Sequence, residues 1–346
     1  MIESRKEDHL KICLNEDVDA KKNYWSEIEL YHRSAPEIDF QDIDVEIDFL
    51  GERLAAPIMI AGMTGGYSGA EDFNKKLASA AEQLNIGFGV GSQRAALENP
   101  ELRESYEVIS DYSPPLVFGN IGAPQLISQD GEEPFTVKEA NEALEMIDGD
   151  YLAVHFNYLQ EAVQPEGDLR ARGVIEALKD LSSEVPTVAK ETGAGVSTEM
   201  ALTFQDTGVK AIDVGGKGGT SFSAVEHYRN DEKEMKKISE NLWDWGIPTP
   251  ASVIEARGSV SLPLIATGGI RNGIQAAKAL SLGADVVGIA SGVLNALGDE
   301  ERDVVSYLER VIRELKTVMF LLGCDDLDEL LQVKKIFSGD LKDWIK

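Results

Sequence analysis

VHFNYLQEAVQPEGD, residues 154–168, continues an apolar run that begins at Tyr151 and then presents a histidine, two asparagine or glutamine amides and a glutamate in quick succession. A β-rich apolar run that ends in hydrogen-bonding groups reads as a buried strand delivering side chains to a surface. An ordinary loop also turns polar at the surface, so the rest of the chain decides whether that surface is a site. Seven more runs share the pattern of YLAVHF (151–156): PIMIAGM (57–63), IGFGVGS (86–92), LVFGNIG (116–122), TVAKE (187–191), AIDVGG (211–216), PLIATGG (263–269) and DVVGIAS (285–291). Between most of them lie segments of helical periodicity, FNKKLASAAEQL (73–84), VKEANEALEMI (137–147), LRARGVIEALKDL (169–181) and GIQAAKALSLG (273–283). Strands alternating with helices call for right-handed parallel crossovers, and eight that close on themselves make a (β/α)₈ TIM barrel; a doubly wound open sheet is the competing arrangement. The expected organisation is a single domain over 1–346. It consists of a polar N-terminal arm (1–55), a barrel core (56–300) containing an overlong connection at 217–260, and C-terminal helices (301–346).

Composition narrows the function. Of 346 residues, 61 are Asp or Glu and 33 Lys or Arg, a net charge of −28. Such a surface repels nucleic acid and anionic membranes, so an anionic ligand needs a locally basic pocket. The acidity suits either a salty environment or plain solubility. Cys13 and Cys324 lie far apart without CxxC spacing, which suggests neither a thiol metal site nor a disulfide framework and fits a reducing cytoplasm. The opening MIESRKEDHLKICL is charged throughout and has no apolar targeting core, and no run of eighteen apolar residues occurs. A cytoplasmic protein with no membrane partner is the expectation.

In a parallel barrel all strands end on one face, where the loops build the site. The strand ends carry Met63-Thr64-Gly65-Gly66, Ser92-Gln93-Arg94, Asn120, His155 to Glu161, Lys190-Glu191, Gly215-Gly216, Thr267 to Arg271 and Ala290-Ser291. ATGGIRNG (266–273) follows the seventh strand and opens a helix, and GIAS ends the eighth. Glycines there let backbone amides approach a phosphate, and Arg271 offers a fork-shaped cation. DVGGKGGTS (213–221) is a second such loop, with Thr220 and Ser221. Two of them favour a phosphate-bearing cofactor. Lys190 suits an electron-rich ring or an anion, Schiff-base chemistry, or a purely structural pair with Glu191 or Asp213. SRKEDHL (4–10) clusters Arg5, Lys6 and His9 in an otherwise acidic chain. His155 can titrate near neutrality, whereas Asn157 and Gln160 can only hydrogen-bond. Glu161 can act as a base or hold Mg²⁺ jointly with a substrate phosphate, because that ion takes few protein ligands. A lone carboxylate argues against glycosidase chemistry, which needs a pair.

With these residues in hand, the chain resembles the type 2 isopentenyl diphosphate isomerases, FMN-dependent barrels that interconvert isopentenyl and dimethylallyl diphosphate. The resemblance rests on SRKEDHL, AGMTGG, GVGSQR, GNIG, HFNYLQE, VAKETGAGVS, DVGGKGGTS and TGGIRNG, in that order over about residues 4–292. HFNYLQE and the N-terminal RKxDH are the discriminating motifs, since glycine loops recur across FMN barrels. The resemblance implies that Met63, Thr64, Gly65, Ser92 and Asn120 lie along the flavin, with Lys190 near its pyrimidine edge. It implies that Ser197 and Thr220 help hold the ribityl and phosphate portion, completed by Gly268, Gly269, Ile270, Arg271, Ala290 and Ser291. Arg5, Lys6, Ser92, Gln93, Arg94, His155 and Asn157 match diphosphate-binding positions, Gln160 sits beside the isoprenoid carbons, and Glu161 carries Mg²⁺. Gln160, His155, Asn157 and Lys190 are thereby the catalytic candidates. The implied mechanism is acid–base catalysis by reduced FMN, with NADPH needed only to reduce it. The implied assembly is a homo-oligomer, tetramer or octamer, with a mobile basic arm that covers a neighbour's site. KETGAGVS and GGKGG depart from the family's usual glycine and alanine variants, which draws attention to Lys217 near the flavin phosphate. Two other readings stay open: an FMN-dependent 2-hydroxy acid oxidase or dehydrogenase, although residues 246–271 hold Arg257 and Arg271 but no histidine, and a non-catalytic flavin or phosphate-binding barrel.

Overall fold

The computed structural model describes residues 2–63, 65–67, 69–298 and 303–346, with side chains from residue 6 onward. Eight strands, β1 (Ile58–Ile60), β2 (Gly87–Gly89), β3 (Leu116–Gly122), β4 (Tyr151–Phe156), β5 (Thr187–Glu191), β6 (Ala211–Asp213), β7 (Leu264–Ala266) and β8 (Val286–Ile289), close into a barrel in chain order. Every neighbouring pair is parallel. β3, β4 and β5 span the expected runs; the other five are shorter, because pairing stops where glycines and polar residues leave the sheet for the loops. Helices Ala70–Leu84, Val137–Glu145, Val174–Glu184 and Gly273–Ser281 occupy the four periodic segments. The connection at 217–260 holds three helices, Phe222–Arg229, Lys233–Asn241 and Thr249–Ser259. No described helix is long and apolar enough to cross a membrane.

Side chains alternate across a strand, and that period organises the barrel. In β1, Ile58 and Ile60 face the helix layer while Met59 points inward. Met59, Leu116, Phe118, Val188, Ala211, Ile265 and Val286 form an apolar cluster inside the barrel. Two residues further along their strands the inward positions become Asn120, Lys190, Asp213 and Thr267. One end of the interior is therefore dry and the other polar.

A hairpin, Ile47–Phe49 paired with Glu52–Leu54, closes the dry end by adding Phe49 and Leu54 to its cluster. Its two-residue turn has both central residues left-handed, Leu50 at φ 53° and Gly51 at φ 94°, as a twisted hairpin requires. This corrects the expectation of a merely polar arm. Residues 1–55 also contribute a helix, Ile2–Asn15, the almost fully buried Trp25, and a strand, Ile28–Leu30. The strand pairs antiparallel with Lys335–Phe337, so the expected helical C-terminus (Val304–Leu322, Leu327–Gln332, Leu341–Trp344) carries a strand as well. Nothing local marks these two short strands; each exists because the other end of the chain supplies its partner.

Leu54 is fully buried in the plug. Leu54→Ala is expected to destabilise the fold by about 2–5 kcal/mol, read as a lowered urea midpoint, while ligand affinity at the opposite end of the barrel is unchanged; an unaltered midpoint contradicts the plug's place in the core.

Candidate active site

At the polar end lies a cavity of about 590 Å³, within the usual range for small-molecule sites. Met63, Gly65, Ser92, Asn120, Asn157, Gln160, Glu161, Thr220, Gly268, Gly269, Ile270, Ala290 and Ser291 line it, with Lys6, Arg94, His155, Lys190 and Arg271 among its charged or titratable groups. Thr64 and the Arg5 side chain lie outside the described residues.

Two expected contacts are corrected. Gln93 is fully buried and off the cavity: its amide donates to the Ala143 carbonyl at 2.7 Å and accepts from the Asn120 N–H at 2.9 Å, which ties the loop after β2 to β3. Ser197 also stands outside the lining, as the N-cap that accepts from the Met200 N–H at the start of helix Thr198–Asp206. Lys217 departs from its expected place beside a phosphate. Its ammonium donates to the Asp244 carbonyl at 3.2 Å and lies over the rings of Tyr24 and Trp344, 5.2 and 5.5 Å from their centroids.

The barrel register sets Lys190 between His155 and Asp213. Lys190 Nζ lies 2.6 Å from Asp213 Oδ2, and the other carboxylate oxygen accepts from Thr267 Oγ1 at 2.6 Å. Of the readings open for Lys190, the ion pair is the one formed, with Asp213 and not Glu191. The pair fixes the ammonium at the cavity wall with its charge matched. His155 Nδ1 meets Asn120 Oδ1 at 2.7 Å; the Asn120 amide donates to the Val90 carbonyl, which leaves Oδ1 to accept and makes Nδ1 the donor. Glu191 has the opposite parity and turns away. It accepts N–H bonds from Gly193, Ala194 and Gly195 at 2.7–2.8 Å, while burial pushes its carboxyl up to about 8 against those donors.

Asn157 Nδ2 donates to Gln160 Oε1 at 2.6 Å, and Gln160 Nε2 donates to Glu226 Oε1 at 2.7 Å. Glu226 is fully buried and also meets His9 Nε2 at 2.8 Å and Arg229 Nε at 2.7 Å. Sequence reading missed it, because a single glutamate in SFSAVEHYR looks like any solvated helix residue. Burial disfavours the charged form, yet His9, Gln160 and Arg229 together hold the carboxyl below its usual range.

The basic arm lies over its own barrel. Lys6, His9, Leu10, Cys13 and Leu14 of helix Ile2–Asn15 line the cavity, so the expected reach to a neighbour's site is unnecessary for closure. Lys6 donates to the Ser92 carbonyl and to the Tyr106 hydroxyl. Arg94 is buried and clasped by Glu98, Glu132 and Asp168, so its charge is already matched where it meets the cavity. Glu161 accepts from the Asp168 N–H at 2.7 Å and from the Gln164 amide. Among the described residues no three His, Cys, Asp or Glu side chains group to hold a metal, so Mg²⁺ here would rest on Glu161, water and the ligand's own oxygens.

Gly268 and Gly269 adopt φ 115° and 73°, and a Cβ on them would stand 2.2 and 2.3 Å from the carbonyl oxygens of Gly216 and Gly218. Only glycine allows the 213–221 and 266–273 loops to touch backbone to backbone. Among the described residues, the N–H groups of Thr220, Gly269 and Ile270 donate to no protein acceptor. Arg271 pairs with Asp19 and donates to Ser291 Oγ at 3.1 Å. A cradle of unmatched amides beside a cation fits a phosphate monoester such as that of FMN.

A family model described as FMN-dependent dehydrogenase matches residues 13–101 and 175–335. A mandelate oxidase variant solved with benzoyl-formic acid superposes with a TM-score of 0.64 at 18% identity, covering 97% of this chain and 95% of that one, which is a likeness of fold. The chain is thus a barrel of the FMN-dependent dehydrogenase class. It is 46% identical to the isopentenyl-diphosphate delta-isomerase of Methanococcus aeolicus over 99% of both chains, and 46% identical to that of Archaeoglobus fulgidus over 99% of this chain and 97% of the relative. Within that class the chain belongs to the isopentenyl-diphosphate delta-isomerase family.

The Glu226 network gives a signed pH dependence. Its folded carboxyl titrates below the ordinary 4.5, so the stabilisation is present above that value and is lost as pH falls through the lower, folded value. Glu226→Gln leaves buried donors unmatched and is expected to cost on the order of 3 kcal/mol at pH 7. The gap from the parent protein narrows as pH falls below 4.5. Urea midpoints across that range check it; a gap that stays constant would contradict the charged, buried carboxylate.

Proposed function

We propose that the protein interconverts isopentenyl and dimethylallyl diphosphate by acid–base catalysis at reduced FMN, without net redox change. The observation that carries the reading is an amide cradle that fits a phosphate monoester, set beside polar groups already bonded to one another. Gln160 and Asn157 are amides bonded to each other, and Lys190 is held by Asp213. Moving an unactivated double bond requires protonation at one carbon and deprotonation at another. Reduced FMN, when bound, supplies an electron-rich ring whose N5 can give and take a proton.

The chain's own residues bind and orient. Thr220, Gly269 and Ile270 would offer their amides to the flavin phosphate, with Arg271, Ala290 and Ser291 as further holders. Met63, Gly65, Ser92 and Asn120 would face the flavin ring, with the Lys190–Asp213 pair beside them. His155, Lys6 and Arg94 would take the diphosphate, which would anchor the five-carbon end by remote binding energy. Gln160 faces the hydrocarbon, oriented by Asn157 and Glu226. Glu161 would hold Mg²⁺. NADPH serves only as the initial reductant, and the protein works as a homo-oligomer, tetramer or octamer, in the cytoplasm, consistent with its free cysteines Cys13 and Cys324.

The hydroxy acid oxidase reading finds no support in the one extra arginine near the end of the barrel. Arg257 is bound to Asp285 at 2.6 Å and to the Gly283 carbonyl, away from the cavity.

Incubated with isopentenyl diphosphate in D₂O after dithionite reduction, the flavin-loaded protein is expected to yield deuterated dimethylallyl diphosphate. Equal turnover with the flavin kept oxidised defeats the proposal. Glu161→Gln is expected to lower Mg²⁺-dependent turnover by at least about 10-fold, and full activity in that variant removes the metal assignment.

A further inference from the structure

We infer that Asn23 and Trp25, which lie outside the cavity, are positioning residues that aim the phosphate cradle; the inference rests on the flavin reading above. The arm passes behind the two glycine loops and holds their carbonyls. Trp25 Nε1 donates to the Gly268 oxygen at 3.0 Å, Asn23 Nδ2 to the Gly269 oxygen at 2.8 Å, and the Ala20 N–H to the Gly219 oxygen at 2.7 Å.

Each of these carbonyls shares a peptide plane with the N–H of the next residue. The chain has no cis peptide among its described residues, so each C=O and its partner N–H point opposite ways. Holding the oxygens of Gly219, Gly268 and Gly269 on the outer side therefore turns the N–H groups of Thr220, Gly269 and Ile270 the other way. Those three amides have no protein acceptor and belong to residues that line the cavity.

The hold matters because glycines carry these peptides. Gly268 and Gly269 both have positive φ, and glycine's wide conformational freedom lets such peptides turn over. Trp25 is rigid and 1% exposed, so its indole N–H needs this acceptor. Asn23 caps the short helix Tyr24–Glu27 by accepting from the Trp25 N–H at 3.0 Å, which fixes its amide with Nδ2 toward Gly269. Thr249 Oγ1 lies 3.0 Å from the Gly268 oxygen and 3.1 Å from the Lys217 oxygen, and its single hydrogen serves one of them at a time.

Trp25→Phe keeps the ring and removes the donor; Asn23→Ser keeps a capping oxygen and is too short to reach Gly269. Flavin fluorescence titrations of protein freed of flavin, with FMN and with riboflavin, separate aiming of the phosphate from general support, since riboflavin lacks only the phosphate. Each variant is expected to bind FMN about 10-fold more weakly with riboflavin affinity within about twofold of the parent's. FMN affinity unchanged in both variants, or FMN and riboflavin weakened in parallel, overturns the inference while the flavin reading survives. A parent protein that binds neither flavin overturns both. Should Trp25→Phe fail to fold, as judged by circular dichroism, Asn23→Ser alone decides, because its side chain is only partly buried.

Discussion

Closure of eight parallel strands is the constraint from which the site follows. Once the sheet has no edge, every second side chain must enter a narrow interior, and each strand can place one residue per layer there. Here the apolar part of the interior is Met59, Leu116, Phe118, Val188, Ala211, Ile265 and Val286, sealed by Phe49 and Leu54, while Asn120, His155, Lys190, Asp213 and Thr267 occupy the inward positions above it. The apolar layer excludes water from below. The polar groups above it therefore have few partners besides one another and whatever enters the mouth, and this explains why Lys190 meets Asp213 and His155 meets Asn120 at short range.

Several charges at the rim are already matched. Arg94 carries three carboxylates, Arg229 two, and Glu226 collects three donors. In a protein of net charge −28, an unmatched cation at the mouth would collect acidic loops of its own chain. Matched pairs also hold geometry: the Gln160 amide keeps one orientation because its oxygen is committed to Asn157 and its nitrogen to Glu226. Amides without protein acceptors occur where a phosphate monoester fits, so the cavity is polar without being promiscuous.

The N-terminal arm performs three separate tasks within 55 residues. Its helix covers the mouth, its middle holds the carbonyls of the glycine loops, and its hairpin seals the far end. An arm that touches both ends of the barrel couples cofactor loops to the folding core. This accounts for a large buried indole in a stretch that otherwise looks like linker.

Much was legible from the sequence alone. The period-two runs ending in glycine or polar residues located all eight strands, and the order of motifs from SRKEDHL to TGGIRNG identified the family. These signals are local: alternation, glycine punctuation and residue identity survive without knowing any partner. Tertiary structure decided the rest. That Gln93 faces Ala143 instead of the cavity, that Lys217 turns onto Tyr24 and Trp344, and that Ile28–Leu30 is a strand depend on atoms brought from elsewhere in the chain. Glu226 became part of the site because His9, Gln160 and Arg229 converge on it, and Trp25 because its indole finds Gly268. A buried polar group takes its role from the partner that satisfies it, and partners distant in sequence leave no periodic trace.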